Sequence, residues 1–79
     1  MELEMVALEH LALEEVCSEY EINEVVRLND GAPEDGPKIV AAWESRGWIE
    51  RIEQEDELPQ LLRLTDQAYR DQPWLPRAS

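Results

Sequence analysis

The sequence has 79 residues but only one cysteine, one histidine, three glycines and no phenylalanine. Each scarcity excludes something. A lone Cys17 cannot close an intrachain disulfide, so stability must come from the apolar core, and a reducing compartment such as the cytosol is expected. With His10 as the only histidine, a closed four-ligand zinc site of Cys and His is excluded, and neither metal nor cofactor is expected. His10 has no Ser or Cys partner at a recognisable spacing, so it reads as a helix-surface or boundary residue and not as half of a catalytic dyad. Gly31, Gly36 and Gly47 are scattered turn residues and do not build a phosphate-binding loop. No run of about 18 apolar residues exists to span a membrane. The acidic beginning is neither a signal nor a transit peptide, and an acidic helix has the wrong sign for anionic lipid. The largest shortage is positive charge. Seven Lys and Arg face nineteen Asp and Glu, for a net charge of -12. Duplex DNA is held largely by Lys and Arg neutralising phosphates, so direct DNA binding is not expected.

What is present reads as one folded domain. The charge favours disorder, but 43% apolar residues, with Trp43 and Trp48 among well-spaced Leu, Ile and Val, favour a core. A chain this short buries only roughly 60–65% of its unfolded surface, so that core is small. Helical spacing of Met5, Leu8, Ala12 and Val16, flanked by Val6, Leu13, Cys17 and Tyr20, predicts one helix from Glu2 to about Tyr20. Cys17 is then a small buried hydrophobe among Leu13, Val16 and Tyr20. Glu2, Glu4 and Glu9 suit the helix dipole, whereas Glu14, Glu15 and Glu19 oppose it and hint that the negative charge has a use. A second helix is expected over Ile22–Leu28, burying Ile22, Val25, Val26 and Leu28, and ended by Asn29-Asp30-Gly31. A third begins near Pro33 to Pro37 and runs to Arg46, with Asp35 as candidate cap, Ile39, Val40 and Trp43 inward, and Gly47 as its stop.

After Gly47 the period changes. Trp48 to Ile52 reads as a strand, Glu53 to Gln60 as a polar loop and Leu61 to Leu64 as the return strand of a hairpin. Thr65 is expected to cap a short helix from Asp66 to Asp71. The fold class is mainly α with a small β-hairpin. The expected domain is 1–72 and the tail 73–79, where Trp74 and Leu75 either pack back or anchor a partner or a second subunit. Trp43 is expected in the core and Trp48 half exposed.

The order helix, helix, helix, hairpin resembles a winged helix-turn-helix. Trp43-Glu-Ser-Arg-Gly47-Trp-Ile49-Glu-Arg51 resembles the pattern in which a recognition helix ends in glycine and passes directly into the first wing strand. Leu62-Arg-Leu64-Thr65-Asp66 resembles the second wing strand and the threonine that starts the next helix. The resemblance covers about residues 22–69. Many members carry a glycine shortly after that threonine, where this chain has Ala68 and Tyr69. The family implies three helices, a two-stranded wing and a short terminal helix or turn, with the third helix entering the major groove in DNA-binding members.

Charge departs from that use. The wing tip is Glu53-Gln54-Glu55-Asp56-Glu57, and the third helix opens with Glu34 and Asp35 against Lys38 alone. Carboxylates at a phosphate backbone cost on the order of 1 kcal/mol each near a screened surface. Arg46, Arg51, Arg63 and Arg70 either form a positive strip or pair with neighbouring acids. The wing also lacks the ligand alternation and glycine of a calcium loop. The acids are either a solvated face or a docking surface for a protein with a basic nucleic-acid groove. On the second reading Glu4, Glu14, Glu15, Glu19, Glu53, Glu55, Asp56 and Glu57 are the partner-binding residues. The chain is similar in size and charge to small acidic phage inhibitors that imitate DNA, anti-CRISPR proteins among them. That reading is a non-catalytic module that blocks or modulates its partner. The alternatives are a winged-helix DNA-binding regulator and a structural subunit of a larger assembly.

Overall fold

Leu3–Glu14 forms the first helix, α1, rich in Leu, Met, Ala and Glu and free of Gly and Pro. The computed structural model describes residues 2–77; Met1, Ala78 and Ser79, which the expected domain and tail included, lie outside the described residues. The expected helix to Tyr20 is corrected here. Glu15 takes φ 69°, a conformation that stops a right-handed helix. Val16–Ser18 then becomes a strand, β1, antiparallel to Arg63–Leu61 of the return strand. The expected run was therefore broken by long-range pairing, which a local helical period does not encode.

Helix α2 covers Glu19–Leu28 and starts three residues earlier than expected. Ser18 is its cap, its Oγ accepting the Glu21 amide at 3.2 Å. Glu19 and Glu21 thus sit in the first turn of α2, where carboxylates complement the dipole. Only Glu14 remains in the last turn of α1, so the supposed misplaced acidic run largely disappears. Helix α3 covers Asp35–Arg46. Asp35 does not cap it from outside. It is its first residue, and its Oδ2 accepts the Ala32 amide at 2.9 Å, tightening the preceding turn. Gly47 closes α3 in the left-handed conformation, φ 73°, where a β-carbon is strained and glycine is not.

Strands β2 (Ile49–Ile52) and β3 (Leu61–Leu64) pair antiparallel, Ile49 opposite Leu64 and Ile52 opposite Leu61. The β component is thus a three-stranded antiparallel sheet of order β1-β3-β2, one strand more than the hairpin expected. Helix α4 covers Asp66–Asp71. Thr65 is its N-cap residue, as expected, but without a side-chain capping bond; its hydroxyl instead donates to the Gly47 carbonyl, and its amide to the Trp48 carbonyl at 2.9 Å. The joints before β2 and after β3 are in this way pinned together. Among the described helices none is long and apolar enough to cross a membrane.

The core collects Ala7, Leu8, Leu11 and Ala12 of α1, Ile22 and Val26 of α2, Val40 and Trp43 of α3, Cys17, Ile49, Leu62 and Leu64 of the sheet, and Trp48, Ala68 and Leu75. Ile39 and Val25 pack partly against it. Several expected core residues lie outside. Leu13, Val16 and Tyr20 are exposed because the chain turns at Glu15, and Leu28 is exposed at the end of α2. Cys17 is buried as expected, but on β1 and not among those three.

Candidate functional site

The loop between β2 and β3 is the segment expected to form a wing, and every residue from Glu53 to Gln60 is exposed. Its own side chains order it. Gln54 Nε2 donates to the Pro59 carbonyl at 2.7 Å, Gln60 Nε2 to Glu53 Oε1 at 3.2 Å, and the Leu58 amide to the Glu55 carbonyl at 2.8 Å. Such bonds hold the tip in a turn and leave Glu55, Asp56 and Glu57 pointing at solvent. None of these three is in an ion pair among the described residues.

The arginines behave differently. Arg46 Nη1 reaches Glu4 Oε1 at 2.6 Å. Arg51 is clamped between Glu44 at 2.6 Å and Glu19 at 3.2 Å, tying α3, β2 and α2. Arg63 of β3 pairs across the sheet with Glu50 of β2. Arg27 pairs with Glu24 one turn away, at 2.8 Å. Hydrogen bonds from Arg51 and Arg27 hold the Glu44 and Glu24 carboxyls below the usual range. Of the candidate positive strip, only Arg70 is outside an ion pair among the described residues. Arg77 lies over the Tyr69 ring, 4.2 Å from its centroid.

The eight acids named from the sequence fall into three groups. Glu55, Asp56 and Glu57, with Glu53 beside them, crown the wing. Glu14 and Glu15 lie exposed where α1 turns into β1. Glu4 and Glu19 are occupied within the fold. Glu4 also accepts the indole N–H of the fully buried Trp43 at 3.2 Å, a donor that needs a partner when buried. Glu4 is therefore a tie between α1 and α3, and sequence reasoning missed this because the two lie far apart in the chain.

The tail divides. Leu75 is 5% exposed and belongs to the core, so it fastens the tail to the domain. Trp74 remains 42% exposed, its indole N–H on Gln72 Oε1 at 2.7 Å. Trp48, expected half exposed, is buried. Its indole N–H donates to Asp71 Oδ2 at 2.7 Å and the Arg46 guanidinium stacks on its ring at 4.9 Å. That bond is the chief reason the Asp71 carboxyl lies below its usual range.

One cluster has no counterpart in the sequence reading. His10 of α1, Cys17 of β1 and Glu21 of α2 bring one ligand atom each within 4.8 Å of one another. His10 Nε2 lies 3.5 Å from Glu21 Oε2, an ion pair only when the imidazole is protonated. The Cys17 thiol is pushed up from 9.0 to about 12, first by burial and then by Glu21 and Glu14. A thiol held protonated in this way is a poor nucleophile, despite the nearby imidazole. The Ser18-x-x-Glu21 capping pattern was a readable signal for the start of α2, but the meeting of the three side chains depends on the reversal at Glu15. Compared with protein-family models, curated proteins and solved structures, the chain matches none.

Proposed function

We propose that the chain is a non-catalytic, acidic winged-helix module that docks on a protein with a basic nucleic-acid groove and blocks or modulates it. Three features support the winged-helix reading: the element order, the β1-β3-β2 sheet and the glycine joint from α3 into β2. A phage-type inhibitor such as an anti-CRISPR protein or DNA mimic, working in the cytosol, is its concrete form. The single observation that carries the functional reading is the distribution of pairing. Arg46, Arg51 and Arg63, which a DNA-binding relative would offer to phosphate, are tied to carboxylates of the same chain. The wing tip keeps its acids exposed, as does Glu34 just before α3, while Asp35 is half-buried with its carboxylate on the Ala32 amide. A phosphate backbone placed there meets uncompensated negative charge, whereas a basic groove meets its complement.

The test is capture on the immobilised chain from nuclease-treated lysate, beside a variant carrying Glu55→Lys and Glu57→Lys. Support requires a nucleic-acid-binding protein retained by the first and not the second, and released as salt rises. Equal retention by both sinks the wing as the docking surface. A gel shift of duplex DNA by the chain itself at sub-micromolar protein, weakening steeply with salt, would replace this reading with that of a DNA-binding regulator.

A further inference from the structure

We propose that His10, Cys17 and Glu21 form a binding site for one Zn²⁺, held by the imidazole, the thiolate and a carboxylate oxygen, with the fourth position open to water. The three ligands come from three successive elements, α1, β1 and α2, which the turn at Glu15 folds onto one another. Tetrahedral zinc with bonds of about 2.0–2.3 Å sets neighbouring ligand atoms roughly 3.3–3.7 Å apart. The His10–Glu21 separation of 3.5 Å already meets that, and all three atoms lie within 4.8 Å. Closing the remainder takes a movement on the order of 1 Å, well within reach of the half-exposed Glu21 side chain.

A second observation points to the same ligand. Among the described residues His10 Nε2 is shut off from solvent and makes no hydrogen bond. Such an orphaned nitrogen is unfavourable where it stands and is satisfied by a metal. Glu21 has its amide on Ser18 Oγ while its carboxylate is turned toward His10. The donor set is selective. Sulfur and imidazole suit zinc, and calcium and magnesium prefer oxygen alone. Glu14 and Glu21 both place negative charge on the Cys17 thiol. Burial is the larger reason that sulfur keeps its proton, but these charges also draw in a cation, and binding releases the proton as the thiolate takes the metal. The shortage of Cys and His excludes a closed four-ligand site, whereas an open zinc site needs only three protein ligands.

The experiment titrates the reduced, metal-stripped full chain with Co²⁺, followed by Zn²⁺ competition. The proposal expects saturation at one ion per chain, a thiolate-to-cobalt charge-transfer band in the near ultraviolet, and displacement of cobalt by zinc. His10→Gln and Glu21→Gln, both at partly exposed positions, should keep the fold and weaken zinc binding by at least about 10–100-fold, the loss seen when even outer partners of a metal site are removed. Cys17→Ala should abolish the band. Glu14→Gln, which removes charge and no ligand, should change affinity by less than either. Absence of the band overturns the site. So does zinc affinity in His10→Gln and Glu21→Gln equal to the wild type, which would place the metal on surface carboxylates.

Discussion

Replacing Leu75 by Ala should unfold much of what an isolated tail variant would leave intact. Leu75 is 5% exposed and lies in the same core as Leu62, Trp48 and Ala68. Its neighbour Trp74 is 42% exposed, with its indole N–H on Gln72. Truncating a buried leucine costs about 2–5 kcal/mol, the transfer term plus the cavity. A domain of this length is stable by roughly 4–12 kcal/mol, so Leu75→Ala removes a large fraction and Trp74→Ala within about 1 kcal/mol. Truncation after Asp71 removes both and should cost at least as much as Leu75→Ala. Urea unfolding followed by far-ultraviolet circular dichroism reads all three. The midpoint should drop sharply for Leu75→Ala and for the truncation, with the slope unchanged, and should barely move for Trp74→Ala. A Leu75→Ala midpoint at the wild-type value would refute the tail's place in the core and restore the domain end at residue 72.

Glu4→Ala should cost about 1–3 kcal/mol, because it strands the buried Trp43 indole N–H as well as breaking the Arg46 pair; Glu4→Gln should recover most of that in the same urea assay. Glu15→Gly should raise stability by roughly 0.5 kcal/mol, the relief of a left-handed φ exceeding glycine's extra chain entropy; a loss of stability there would contradict the turn. The Cys17 pKa is raised in the folded state, so between about 9 and about 12 the native chain holds a proton that the unfolded chain has lost. Its contribution is complete below pH 9 and declines by about 1.4 kcal/mol per pH unit above it. Cys17→Ala should therefore flatten the fall of stability between about pH 9 and pH 11, and parallel curves for the two proteins would refute the burial of the thiol.

The second half of the chain was legible because its signals are local. The Gly47 stop, the Leu61–Leu64 strand and the Asp66–Asp71 helix follow from turn chemistry and a change of period. The first half was not, because Val16–Ser18 is a strand only by pairing with Leu61–Arg63, more than forty residues away. Leu13, Val16 and Tyr20 continue a helical stripe in the sequence and face solvent in the fold. The same reversal hides the meeting of His10, Cys17 and Glu21. At the candidate surface, residue types revealed the acidic loop between β2 and β3 but not which carboxylates are occupied. Glu4 and Glu19 look like Glu55 and Glu57 until α3 and β2 bring Arg46 and Arg51 to them.

The most direct measurement of the proposed function is competition. A protein captured by the immobilised chain is challenged with duplex DNA at constant salt. If the wing and the start of α3 occupy a nucleic-acid groove, DNA should displace the captured protein in a concentration-dependent way, and Glu55→Lys with Glu57→Lys should weaken the capture being displaced. Capture that DNA leaves untouched, or that is as strong with the reversed wing, would contradict an acidic surface docked in a basic groove and leave the carboxylates as a solvated face.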